Sequence, residues 1–114
     1  MRLTNLLKET RDILKDKGYN SRDVAWVGSE DGRYSLPYGE FCELIADVAY
    51  DAGYGGHHIS SELVIIMHDG SWFSRGEYDG SEWWDYNKQP HMRLDAKPFT
   101  SVKITENYTD PLRA

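Results

Sequence analysis

Near the N-terminus, Leu3, Leu6, Leu7, Ile13 and Leu14 recur at i, i+3 and i+4 spacing, with Thr10 completing the row. That periodicity predicts an amphipathic helix over 3–17, and Gly18 is placed to end it in a left-handed conformation. The opposite side mixes Lys8 and Arg11 with Glu9 and Asp12, the composition of an ordinary solvated face. The period then falls to two. Val24, Trp26 and Gly28 alternate with Ala25 and Val27, which predicts a strand near 23–28. Ser29-Glu30-Asp31-Gly32 reads as a turn that returns the chain through a short strand over 33–36. Ser35 as cap and Pro37 in the first turn open a second predicted helix. Phe41, Leu44, Ile45, Val48 and Ala52 form its apolar face, and Gly53 ends it.

Residues 62–86 carry three strand-like runs separated by Asp69-Gly70 and Asp79-Gly80. Asp-Gly supplies the positive φ angles that tight hairpins need, so the segment predicts a three-stranded meander. With two-residue turns, Ile66 falls beside Phe73 and Phe73 beside Tyr86. One face then holds Val64, Ile66, Phe73, Arg75, Trp84 and Tyr86, and the other Leu63, Ile65, Met67, Trp72, Tyr78 and Trp83. Both are substantially apolar: one is expected on the helices, the other under a partner or the tail. A last strand signal covers Phe99–Ile104, and the polar end, 106–114, is expected to fray. The predicted fold is a single α+β domain over 1–114, in the order α-β-β-α-β-β-β. Two helices pack on an antiparallel sheet that contains the meander, with an optional C-terminal strand.

Composition adds limits. Apolar residues make up 39% and charged residues 28% of the 114, ordinary values for a globular domain. The longest apolar run, Leu63–Met67, is far too short to span a bilayer, and no signal-peptide pattern follows Met1, so a cytoplasmic location is expected. A single cysteine, Cys42, excludes an internal disulfide, and Glu40 and Glu43 beside it make an activated thiol a poor reading. The net charge of −6 is unevenly spread: 29–88 hold three basic and twelve acidic groups. A field of that sign repels nucleic acid backbones and favours basic partners.

Candidate chemistry concentrates in two places. Glu40, Glu43, Asp47 and Asp51 fall along one side of the second predicted helix with no Lys or Arg between them, an acidic stripe that could dock on a basic surface. The competing reading is a solvated face. In the meander, Glu77 and Glu82 fall directly opposite one another, a destabilising arrangement for like charges. A bulged turn that shifts the register is the simplest relief, ahead of a bound cation or neutralisation by a diagonal Arg75. Arg75 beside Trp84 allows a cation–π contact, read as a structural stack or as the anchor of a small anionic ligand. His57, His58, His68 and His91 lack metal-ligand spacing, so neither metal nor cofactor is expected. No Ser, Thr or Cys has the setting of an activated nucleophile.

The strings WVGSEDGRY (26–34), GEF (39–41), YDAGYG (50–55), ELVII (62–66) and EYDGSEWW (77–84) resemble a group of small phage- and prophage-encoded proteins with no assigned chemistry. The resemblance covers about 24–86 and implies a setting, a viral accessory protein, with no catalytic residue carried over. The leading expectation is a non-enzymatic protein that blocks a host defence protein, in the manner of an anti-CRISPR protein. Its expected contact residues are Glu40, Glu43, Asp47, Asp51, Arg75, Glu77, Glu82 and Trp84. The expected partner is a host protein with a basic surface, with no direct nucleic-acid or membrane binding; a homodimer is compatible. The alternatives are an oligomeric sponge for a nucleotide signal, gripped by Arg75 and the tryptophans, and a metal-assisted hydrolase using His57, His58 or His68.

Overall fold

The computed structural model describes residues 3–53 and 58–104. Thr4–Asn5 form a two-residue strand, β1, and the first helix, α1, runs Leu6–Asp16. The helix starts later than its apolar pattern suggests because Asn5 is the cap: its side chain accepts the Lys8 N–H. At the other end Gly18, at φ +82°, donates to the Lys15 carbonyl, and Tyr19 donates to Leu14. This Schellman closure fits the expected role of Gly18. Strand β2 (Val24–Ser29) and strand β3 (Ser35–Leu36) form the expected hairpin.

The second helix, α2, departs from expectation. It spans only Tyr38–Ile45, Ser35 belongs to β3, and Pro37 occupies the cap position without a side-chain bond. Phe41 and Ile45 are buried as predicted, but Leu44 is 67% exposed. Beyond a turn at Ala46–Asp47, Ala49–Tyr50 form strand β4, which pairs antiparallel with β1. Helical periodicity over 47–52 loses to this tertiary pairing: Leu6 donates to the Val48 carbonyl, and the Asn5 side chain to that of Ala46.

The meander is present as β5 (Leu63–Met67), β6 (Trp72–Tyr78) and β7 (Ser81–Asn87). These join the first hairpin in one antiparallel sheet ordered β3-β2-β5-β6-β7. The β5–β6 register differs from expectation by one residue, with Ile65 rather than Ile66 opposite Phe73. Met67 donates to the Ser71 carbonyl across a loop of His68, Asp69 and Gly70, and Gly70 takes φ +87°. The third loop residue moves all of β5 to the opposite face. Ile65 and Met67 therefore join Phe73, Trp84 and Tyr86 under the helices, against Leu6, Leu14, Phe41, Ile45 and Tyr50. Burying side chains of this size contributes roughly 1.5–3 kcal/mol each. Trp26, Ile66, Trp72 and Trp83 lie on the outer face, where Trp72 is 37% and Trp83 36% exposed.

The last expected strand is not formed. Residues 88–104 are irregular and exposed, including Met92, Leu94, Phe99, Val102 and Ile104. The tail predicted at 106–114 lies outside the described residues. Among the described residues no helix is long and apolar enough to cross a membrane.

Candidate functional site

Arg75 points to the helix-covered face from the middle of β6, and its side chain is 3% exposed. Its Nη2 donates to the Tyr50 hydroxyl at 2.7 Å, and its guanidinium sits 4.7 Å from the centre of the Trp84 ring. Two carboxylates neutralise it: Glu9 Oε1 lies 3.6 Å from Nη1, and Glu82 Oε1 3.9 Å from Nη2. The Nε and Nη1 atoms are buried without a hydrogen-bond partner among the described residues. Tyr50 in turn donates to Glu9, and burial, reinforced by that bond, pushes the Tyr50 phenol up to about 12. A phenol shifted upward stays neutral at physiological pH and is not poised as a base.

Glu82 is held from the backbone as well, accepting the His58 and Ile59 N–H groups at 2.7 and 3.1 Å. Trp84 Nε1 donates to Thr10 Oγ1, so the one polar residue in the apolar row of α1 is the group that fixes α1 to β7. Arg75, Glu82 and Trp84 thus come together as expected, but buried, and they brace the fold behind the surface.

The acidic stripe does not assemble. Glu40 and Glu43 are exposed on α2, whereas Asp47 lies in the following turn and Asp51 beyond β4, accepting the Gly53 N–H. The cause is the early end of α2. The bulge expected between Glu77 and Glu82 is absent as well: the two residues are in direct register, and Asp79 and Gly80 form a tight turn at φ +52° and +86°. The bulge in the sheet falls in β2, between Val24 and Trp26.

The surface in front of the Arg75 cluster was not visible in the sequence. Between α1 and β7 lies a cleft of about 830 Å3, lined by Leu3, Thr4, Asn5, Lys8, Glu9, Asp12, Ile13, Asp16, Trp83 and Trp84. Glu9 and Trp84 belong both to this cleft and to the buried cluster. Its charged wall is three carboxylates and one lysine, and that lysine, Lys8, pairs with Asp12 at 2.7 Å. Exposed pairs of this kind are worth about 0–1 kcal/mol, so Asp12 remains able to exchange partners, whereas Glu9 is held by Tyr50 and Arg75. Trp83 is positioned by Gly76: a Cβ there would stand 2.5 Å from the Trp83 Nε1, so the indole lies against bare backbone. The same Nε1 donates to Asp85.

Trp83 and Trp84, being consecutive in a strand, point to opposite sheet faces. A single cleft that meets both, together with α1, opens at the sheet edge. At that edge the Glu82 N–H donates outward to the Ala52 carbonyl. Alternate residues of an antiparallel strand direct their backbone groups the same way, so Trp84 and Tyr86 also present N–H and C=O outward. Among the described residues no backbone group meets them there.

His58 and His68 do not converge. His58 donates its N–H to Glu82 near the start of β7, while His68 occupies the β5–β6 loop beside the far end of the sheet. The length of β7 between those ends is about 17 Å. Among the described residues no three His, Cys, Asp or Glu side chains gather as a metal site; His57 lies outside them. Comparison with family models, curated proteins and solved structures finds no match.

Proposed function

We propose that this chain is a non-enzymatic binding protein that seats a basic, extended segment of a partner protein in the cleft between α1 and β7. The observation that carries the reading is the cleft's composition: Asp12 and Asp16 on α1 beside Trp83 and Trp84 of β7, at an open strand edge. Carboxylates select Lys or Arg, the part-exposed indole of Trp83 accepts an aliphatic stem, and the edge offers backbone pairing to an extended chain. The resemblance to small phage and prophage proteins supplies the setting, an accessory protein that occupies a basic surface on a host protein.

The nucleotide-sponge reading gains no support from Arg75, whose charge faces Glu9, Glu82 and Tyr50 rather than an opening of phosphate size. A pull-down from host lysate tests the proposal. Capture should be lost in Asp12→Lys with Asp16→Lys and retained in Glu40→Lys with Glu43→Lys on α2. Equal capture by both variants would reject the cleft.

A further inference from the structure

The open edge of β7 has two differently equipped sides. In a strand added there, residues opposite Trp84 and Tyr86 point to the α1 side, and the residue between them, opposite Asp85, points to the outer face. On the first side, α1 runs in the same direction as β7. The Thr10 hydroxyl meets Trp84, and Lys17, at the end of the helix, lies 5.6 Å from the centre of the Tyr86 ring. Lys17 also stands 3.8 Å from Asp16, so the place opposite Tyr86 already holds a cation. That leaves the place opposite Trp84, with Asp12 across the cleft, for a basic side chain on this side. On the outer face Trp83 lies against the bare backbone of Gly76, is 36% exposed, and donates from its ring edge to Asp85 Oδ1 at 2.7 Å. Among the described residues no donor meets Asp85 Oδ2, and no Lys, Arg or His pairs with the carboxylate. An indole face with a carboxylate at its edge is a seat for a guanidinium or ammonium group, stacked on the ring and paired with the acid.

We infer that the segment seated on β7 is recognised by a dibasic pair, two consecutive Lys or Arg residues, one on each side of the added strand. The inference rests on the cleft reading above and specifies its partner. Consecutive strand residues alternate faces, so a basic residue opposite Trp84 meets Asp12 while its neighbour, opposite Asp85, stacks on Trp83 and pairs with Asp85. Basic residues two apart would instead share one side. On the α1 side the second of them would meet Lys17, a like charge. The outer face of β7 offers one carboxylate, Asp85, and the next residue along that face is neutral Asn87, whose amide is taken by Ser74 and main-chain carbonyls. The edge adds a requirement of conformation. The Ala52 carbonyl already occupies the Glu82 N–H, so backbone pairing is left at Trp84 and Tyr86, and a short extended segment fills it. A helix carrying the same two basic residues has its backbone bonded internally and gains nothing from that edge.

Two fluorescent peptides of one composition test it, Ser-Thr-Val-Lys-Arg-Val-Thr-Ser and Ser-Thr-Lys-Val-Arg-Val-Thr-Ser. The wild type should bind the first about five-fold tighter, the effect of one exposed ion pair at the upper end of its range. Asp85→Asn keeps an acceptor for the Trp83 indole and removes the charge, so it should bind both peptides alike. Asp12→Lys with Asp16→Lys should lose both. Equal affinity of the wild type for the two peptides, or a preference that survives Asp85→Asn, overturns the dibasic pair. If the Asp12→Lys, Asp16→Lys variant still loses binding in that case, the cleft reading stands without it. If the wild type binds neither peptide, or that variant binds them as well as the wild type does, the cleft reading falls and the dibasic pair with it.

Discussion

Glu77 and Glu82 face each other across the β6–β7 hairpin, and only Glu82 is buried, at 4% exposure. The repulsion expected of such a pair is relieved by separating their partners, without a shift in register. Glu77 accepts the Gly80 N–H in the turn, while Glu82 takes two backbone N–H groups and the Arg75 charge.

Glu82 is therefore a structural residue. Glu82→Ala leaves Arg75 short of one of its two carboxylates and strands the His58 and Ile59 N–H groups, a loss of about 3–5 kcal/mol for a broken buried pair. Adding Arg75→Met removes the uncompensated charge and should restore part of that loss. Glu77→Gln, which keeps an acceptor in an exposed position, should change stability by less than about 0.5 kcal/mol. Urea unfolding of the variants measures this ranking, and equal effects at 77 and 82 would contradict it.

Thr10 offers a second check on the same assembly. It is fully buried, and its hydroxyl is the acceptor for Trp84 Nε1 at 3.0 Å. Thr10→Val keeps the shape and strands the indole N–H, at a cost of about 1–3 kcal/mol. Thr10→Ser keeps the acceptor and should cost less. A valine variant as stable as the serine variant would show that the bond does not fasten α1 to β7.

What the sequence revealed divides along physical lines. Period-3.6 and period-2 patterns located α1, β2 and the meander because those segments bury one face locally. The Asp-Gly turns marked both hairpins, but not that the first holds three loop residues, so the face of β5 came out inverted. Tertiary pairing misled more: β4 overrides a helical pattern through contacts with β1, more than forty residues earlier in the chain. Asp47 and Asp51 were placed wrongly for that reason. Arg75 beside Trp84 followed from strand register alone. The acidic cleft did not, since Asp12 and Asp16 look like an ordinary solvated helix face until β7 is brought alongside.

Alkaline pH should weaken the fold through Tyr50. Burial and the bond to Glu9 raise its phenol to about 12 from an ordinary 10. The unfolded chain therefore releases this proton first. The Tyr50 contribution is complete below pH 10 and disappears as pH rises from 10 to 12. The Tyr19 phenol, raised by burial and by its bond to Asp69, acts in the same direction. Unfolding midpoints between pH 8 and 11.5 should fall more steeply in the wild type than in Tyr50→Phe. Parallel curves would remove Tyr50 from the account.

Gly76 allows the cleft to be tested without touching its charges. The backbone there is not in the left-handed region, so alanine carries no conformational strain. Its Cβ would nevertheless stand 2.5 Å from both Trp83 Nε1 and Asp85 Oδ2, and the indole must move to admit it. Gly76→Ala should break the Trp83–Asp85 bond, shift indole emission to the red, and weaken binding of a basic, extended peptide several-fold. Because Trp83 is part-exposed at the rim rather than in the core, the stability loss should stay near 1 kcal/mol. Trp83→Ala should lose peptide binding to a similar degree. If Gly76→Ala moves the emission but leaves affinity intact, Trp83 is a cover for bare backbone and not a wall of the binding site.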